Sequence, residues 1–175
     1  MGFTGSSQIT FYGRFLRGIR GTNDDNPNPV VNRVYLSPIY VPRRMLVDEL
    51  CFRSTTNGGS KIIGGLYADN VDTPAGGKLL ITTVAVLLSS FTFGTIKPLS
   101  ITPTALSQGL YWLAAIFDNA GATFEVAPQV KALPDPFNGC FYNAATFSLV
   151  DPCPAVTVDE TTSPYGSLRV NTVLE

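Results

Sequence analysis

Residues 69–73 carry the oxygen-bearing side chains best placed to bind a ligand, because Asp69, Asn70 and Asp72 fall within one short polar loop. Carboxylate and amide oxygens are the ligands that calcium prefers in proteins. The loop lacks the full spacing of a calcium-binding loop, and Asp and Asn are also common turn formers. We therefore treat these three residues as a possible ligand loop beside the simpler interpretation of a turn. No metal site is predicted.

Catalysis is disfavoured by the residue types present. The chain has no histidine among its 175 residues, which removes the commonest general base and the commonest metal ligand. Asp48 and Glu49 are adjacent, and neighbouring residues on a strand point to opposite faces, so they are not expected to act as paired acids. We interpret them as an outward charge pair met by Arg43, Arg44 or Arg53. No catalytic residue and no cofactor is predicted, and an enzyme is the least favoured class.

The three cysteines are Cys51, Cys140 and Cys153. Their spacing matches no zinc pattern, and an odd number argues against a complete disulfide framework. Two alternatives remain: a Cys140–Cys153 bridge in an exported protein, or three reduced and buried thiols. The second is favoured because free cysteine is among the most buried residue types.

Composition limits the partners. Charged residues make up only 14% of the chain, which indicates a surface that is partly covered by another protein. Residues 1–60 hold seven Arg and four acids, and the remainder holds five basic and nine acidic groups, for a net charge of −1. A nucleic-acid-binding protein is far more basic, and the longest apolar run is far shorter than the roughly twenty residues that span a bilayer. Neither nucleic acid nor membrane is predicted as a partner.

Residues 1–29 differ from the rest of the chain and are predicted to form an N-terminal docking arm and linker. Glycines at every few positions disfavour a stable helix here. One interpretation is an exposed irregular segment. The other is an arm that docks on an acidic or carbonyl-rich partner surface through alternating aromatic and basic side chains, Phe11, Arg14, Phe15, Arg17 and Arg20.

From residue 30 onward the sequence predicts β-structure. Segments of apolar and β-branched residues are punctuated by Gly, Pro, Asn and Asp, which is typical of a β-sandwich or barrel. The stretch "LYWLAAIFD" at 110–118 is apolar on both alternating faces. Such a strand either lies centrally with its outer face covered or lies at a subunit interface. The Pro-rich residues 134–165 are too apolar to be free in solvent and are expected to pack on the sandwich or on a neighbour.

Three stretches resemble a module of tailed-bacteriophage fibre and virion-surface proteins: "DELCFRSTT", "IIGGLYADNVDTPAGGKLL" and "GTIKPLSITPTALSQGLYWLAAIFDNA". The resemblance covers about residues 33–135. The residues at the matching places are Gly65, Tyr67, Asp69, Pro74, Leu79, Gly109, Tyr111, Trp112 and Ala114.

This resemblance implies a jelly-roll-like antiparallel β-sandwich over residues 30–175, a homotrimer, and display on a virion without catalysis. Other copies of the chain and major capsid or tail proteins are the implied partners. A short arm in place of a long fibre shaft favours a capsid decoration (cement) protein or a short fibre subunit. It is expected to be made in the host cytoplasm, and attachment to head or tail stays open.

The alternative is a receptor- or carbohydrate-binding tail-fibre module that recognises a host surface glycan. Tyrosines in polar or Pro-flanked stretches are expected to be exposed for stacking on sugars, namely Tyr35, Tyr40, Tyr142 and Tyr165. Trp112 is expected in the core because it lies within the most apolar run.

Overall fold

The computed structural model describes residues 28–70, 76–88, 96–124, 139–158 and 166–174, with the backbone alone for residues 53–57, 96 and 158. The eleven strands in these residues are β1 (Arg33–Val41), β2 (Met45–Asn57), β3 (Lys61–Ala68), β4 (Leu79–Thr82), β5 (Val86–Leu87), β6 (Ile96–Leu106), β7 (Gly109–Phe117), β8 (Ala122–Phe124), β9 (Cys140–Asn143), β10 (Thr157–Val158) and β11 (Gly166–Val173).

These strands form two antiparallel sheets that pack face to face. The large sheet has the order β10-β9-β1-β7-β3-β4, and β5 also pairs with β3. The small sheet has the order β11-β2-β6, and β8 pairs with β2. The predicted all-β sandwich is therefore confirmed.

The strand pairing is nested in the manner of a jelly roll. Strand β1 pairs with β7, β2 pairs with β6, and β3 pairs with β5. A long antiparallel hairpin that folds over on itself produces this nesting and alternates its strands between two sheets. The described residues thus have the jelly-roll-like connectivity that the resemblance implies.

The main core lies between the two sheets. Alternate residues of β7, Leu113, Ala115 and Phe117, face the small sheet, as period-two alternation requires. The Phe117 and Phe124 rings stack with centroids 5.3 Å apart, and the Tyr35 ring lies 5.2 Å from that of Phe124. These aromatic contacts join the large sheet to β8 of the small sheet.

A second apolar cluster covers the opposite face of the large sheet. It contains the other alternating set of β7, including Trp112 and Ile116, and it is covered by Phe147, Leu149 and Val156 from the segment after β9. Of the two sequence-based alternatives, the structure shows a central strand whose outer face is covered by the chain itself. We call residues 144–156 the covering segment.

Two tyrosine hydroxyls hold the covering segment at Val150. Tyr67 donates to the Val150 carbonyl (2.8 Å), and the Val150 N–H donates to the hydroxyl of Tyr142 (3.2 Å). The two hydroxyls lie 2.9 Å apart. Because the single hydroxyl proton of Tyr67 is already given to Val150, Tyr142 is the donor between them. Both backbone groups of Val150 are thereby satisfied.

Two more contacts attach the covering segment to the chain around β4. The backbone N–H of Leu79 donates to the carboxylate of Asp151 (2.9 Å), and the Cys153 N–H donates to the Gly77 carbonyl (3.1 Å). Gly65 on β3 lies directly under this segment, and a β-carbon there would collide with the Leu149 side chain. Glycine at residue 65 allows this close approach, and any other residue would require the Leu149 side chain to shift.

Tyr67→Phe is expected to lower the free energy of unfolding by about 1–3 kcal/mol, since the Val150 carbonyl of the covering segment loses its donor. Tyr40→Phe is the control, because Tyr40 is exposed and water can replace the hydrogen bonds of its lost hydroxyl. Urea unfolding measures both. Equal stability of the two variants would contradict the role of Tyr67.

Candidate functional site

The predicted ligand loop is engaged in holding the core tryptophan. The indole N–H of Trp112 donates to the Asp69 carboxylate at 2.7 Å, and the Asn70 amide donates to the Gly76 carbonyl at 3.5 Å. Trp112 is buried as predicted, and Asp72 lies outside the described residues. Within those residues, no group of three or more acidic or cysteine side chains is arranged to hold a metal ion. Asp69 therefore has a structural task, and its role as a ligand stays a prediction.

The predicted docking residues lie outside the part of the chain that the structure describes: Phe11, Arg14, Phe15, Arg17 and Arg20. Their role stays a prediction. The described chain begins near the start of β1, where the apolar residues Val30 and Val31 are 46% and 47% exposed.

Of the four tyrosines proposed to be exposed, the structure describes three, and one of these is exposed. Tyr40 is 45% exposed, but Tyr35 and Tyr142 are buried, so the expectation of exposure is wrong for those two. Tyr35 faces the main core, where its hydroxyl accepts the Val30 N–H at 2.8 Å. Tyr142 lies under the covering segment. Tyr165 lies outside the described residues.

All three cysteines are free and buried, which confirms the favoured alternative. Cys140 and Cys153 lie in the same apolar cluster without a bridge between them. Burial raises the pKa of Cys51 to about 11 and that of Cys153 to about 12. Since the thiolate is the reactive form, neither thiol is suited to act as a nucleophile.

The main charged cluster in the described structure joins β11 to β2. The Arg169 guanidinium contacts the Asp48 carboxylate through Nε (2.8 Å) and Nη2 (2.9 Å), and it contacts Glu49 through Nη1 (2.8 Å). The amide of Asn171 also donates to Asp48 at 2.8 Å. One cation therefore serves two neighbouring carboxylates that are both mostly buried.

The prediction that Asp48 and Glu49 point to opposite faces is wrong. The register of β2 shifts between Val47 and Glu49 against β6, and at Arg169/Val170 against β11. A β-bulge inserts a residue and interrupts the alternation of side chains, so both acids reach the same arginine. It also changes which residues of β2 face the core, namely Met45, Val47, Leu50 and Phe52.

The sequence analysis also did not predict which cation contacts these acids. Arg43 and Arg44 are exposed, and the side chain of Arg53 is outside those described. The sequence offers no signal for Arg169, because it lies more than a hundred residues further along the chain and only strand pairing brings it to Asp48.

The pKa values of the two acids in this cluster are shifted in opposite directions. Hydrogen bonds from Arg169 lower the pKa of Asp48 below its usual value, against the effect of burial. Burial raises the pKa of Glu49 despite the attraction of Arg169. The arrangement compensates part of the negative charge of the two acids and fastens β11 to β2, which is a structural role.

The fold and these clusters define the class: a jelly-roll-like antiparallel β-sandwich whose described polar clusters hold its parts together. A comparison of the chain with protein-family models finds no match, and a comparison with curated proteins also finds none. Among the described residues, no helix is long and apolar enough to cross a membrane.

Acid is expected to weaken the contribution of Asp48. A lowered pKa in the folded state stabilises the fold when the carboxyl is ionised, and this contribution is lost as the pH falls below 3.8, the ordinary value. The stability difference between wild type and Asp48→Asn should therefore be largest above about pH 5 and shrink in acid.

Glu49→Gln is the matched control, because the raised pKa of Glu49 has the opposite sign. Ionisation of Glu49 costs stability, so wild type should become more stable relative to Glu49→Gln as the pH falls. Urea unfolding at several pH values measures both. Parallel pH profiles for the two variants would contradict the assignment.

The thiols are expected to be unreactive in the folded protein at about pH 8, since all three are buried and the raised pKa values of Cys51 and Cys153 leave little thiolate. A disulfide reagent such as dithionitrobenzoate should react negligibly with the native chain and should titrate all three cysteines after unfolding in guanidinium chloride. One reactive thiol after unfolding would instead indicate a Cys140–Cys153 bridge.

Proposed function

We propose that the chain is a structural, non-enzymatic protein of a tailed-phage virion, displayed on the particle surface as a capsid decoration (cement) protein or a short fibre subunit. In this proposal the sandwich forms the homotrimer, and residues 1–29 attach it to a major capsid or tail protein. The proposal begins from the resemblance over residues 33–135.

The observation that carries the proposal is how the residues of that resemblance come together. Gly65 pairs with Ala114, and Tyr67 pairs with Trp112, directly across β3 and β7. Asp69 then accepts the Trp112 indole N–H. Two stretches that are separated by more than forty residues therefore form one interlocked patch at the centre of the large sheet.

Tyr67 and Trp112 of this patch are buried, so these two side chains serve the scaffold. Tyr67 and Trp112 lie beneath the covering segment. A motif whose residues serve the sandwich itself favours a module that displays and assembles. It does not favour a module whose motif forms a binding site.

Attachment through the arm follows from its side chains. Arginine guanidinium groups bind carboxylates and backbone carbonyls, and aromatic side chains fill pockets on a partner. Burial of such residues against a shell protein stabilises the assembled state by mass action. The exposed Val30 and Val31 at the base of the arm add apolar surface to the same contact.

Glycan recognition is the second candidate. Tyr40 is exposed, and the Gln108 amide donates to its hydroxyl at 3.0 Å, so an aromatic ring and an amide lie side by side. Both groups are common in sugar-binding sites. A single exposed tyrosine supports this function less than the motif supports a scaffold.

Purified particles test the virion role. Tailed-phage particles from a lysate that expresses this chain are banded on a density gradient and analysed by quantitative mass spectrometry. The chain is expected in a fixed ratio to the major capsid or tail protein. Its absence from intact particles would refute the proposal.

The arm is tested by charge reversal. Arg14→Glu with Arg17→Glu should abolish rebinding of the purified chain to particles that lack it, because the arm loses its cations. Arg43→Glu with Arg44→Glu is the matched control, since both arginines are exposed on the sandwich and the charge change is equal. Equal loss in both pairs would show a general charge effect and count against the arm.

A further inference from the structure

The covering segment, residues 144–156, is held in a different way from the two sheets. Strand β7 is paired along its length with β1 on one side and with β3 on the other. The covering segment, which is described throughout, contains no strand. Within the described residues, two backbone hydrogen bonds join it to the rest of the chain, from the Ala144 N–H to the Asn32 carbonyl (2.8 Å) and from the Cys153 N–H to the Gly77 carbonyl (3.1 Å). Segments with few backbone hydrogen bonds open more easily than paired strands.

Side chains supply further anchors of the segment. The hydroxyls of Tyr67 and Tyr142 bind the backbone of Val150, and both tyrosines belong to strands of the large sheet, so they keep their places when Val150 leaves. The hydrogen bond from the Leu79 N–H to Asp151 is exposed, and water can replace either partner. These contacts can be broken without separating any pair of strands.

The segment buries little of its own apolar surface. Phe147, Leu149 and Val156, which pack on the outer face of the large sheet, are only half-buried, and Val150 is 41% exposed. Cys153 is the one buried residue of the segment. Opening would expose these side chains and the face beneath them, but the small sheet would still cover the main core. Opening therefore costs less free energy than unfolding of the whole chain.

In the described structure, the main core and the outer cluster share no buried residue. Two adjacent glycines of β3 show how the two layers are separated. A β-carbon on Gly64 would lie 2.8 Å from the Leu99 side chain and 2.9 Å from that of Phe52, both in the main core. A β-carbon on Gly65 would collide with Leu149 of the covering segment instead. The outer layer can therefore be lost while the main core stays closed.

We propose that the covering segment opens as a unit while the two sheets stay paired, which uncovers the Trp112 face of the large sheet and the Cys153 thiol. The anchors at Val150, Asp151 and Cys153 lie close together in sequence, so the loss of one weakens the others. Strands β9 and β10, which flank the segment and pair with each other, keep both of its ends in place. The segment is thus a strap that is released and closed again without unfolding. This inference goes beyond the proposed function and does not depend on it.

Alkylation of Cys153 by iodoacetamide at about pH 8 tests this opening, since the thiol forms thiolate once it reaches water. Mass spectrometry locates the labelled site. The rate that global unfolding alone allows is the unfolded fraction, from urea unfolding followed by circular dichroism, multiplied by the rate for the unfolded chain. Cys153 is expected to react about tenfold or more faster than this limit. Low concentrations of urea should change its rate little, because opening exposes less surface than unfolding. A rate at or below the limit would overturn the proposal.

Gly65→Ala and Gly64→Ala are a matched pair, since each adds one methyl group to β3. Opening relieves the collision of Gly65→Ala with Leu149, so labelling of Cys153 should be faster by about fivefold or more. Opening leaves the strain of Gly64→Ala in the main core. That variant should therefore lower the free energy of global unfolding and leave the labelling rate of Cys153 unchanged. Equal acceleration by both variants would overturn the proposal, because Cys153 would then react from the unfolded chain.

Two further variants keep the test decisive if either glycine variant fails to fold by circular dichroism. Tyr67→Phe removes the donor to the Val150 carbonyl, so it should also accelerate the labelling of Cys153. Leu99→Ala leaves a cavity in the main core, so it should lower global stability without accelerating that labelling. The reverse pattern would show that the sandwich as a whole protects Cys153, and it would overturn the proposal.

Discussion

The large sheet is apolar on both faces, and the rest of the structure depends on covering both of them. Trp112 and Ile116 of β7 face one way, and Leu113 and Phe117 face the other. Apolar surface left in water costs about 25 cal/mol per Å². The small sheet covers one face and the covering segment, residues 144–156, covers the other, so a single chain supplies three layers.

Covering the second face with irregular chain requires polar anchors, because its backbone groups must be satisfied where strand pairing does not satisfy them. Tyr67 and Tyr142 satisfy Val150, and Asp151 accepts the Leu79 N–H. Polar and aromatic side chains of the kind found in ligand sites thus hold one segment of this protein on another.

Two stretches that begin Gly-Leu-Tyr, residues 65–70 and 109–119, also use polar side chains to hold the protein together. Each stretch ends in an Asp-Asn pair. Asp69 accepts the Trp112 indole N–H at the end of β3. At the end of β7, Asp118 accepts the Lys61 N–H and Asn119 accepts the buried Ser60 hydroxyl. The acid and amide side chains close turns in both places.

The sequence by itself determined the strands, the sandwich and the two apolar faces of β7, since alternation and turn residues are local properties of the chain. It left open whether the Pro-rich segment covers its own sheet or a neighbour's. Sequence reasoning also predicted that Asp48 and Glu49 lie on opposite faces and that Tyr142 is exposed, and both predictions were wrong. Only the tertiary structure decided these points, because a bulge, a distant cation such as Arg169 and a covering segment arise from pairing between residues far apart in sequence.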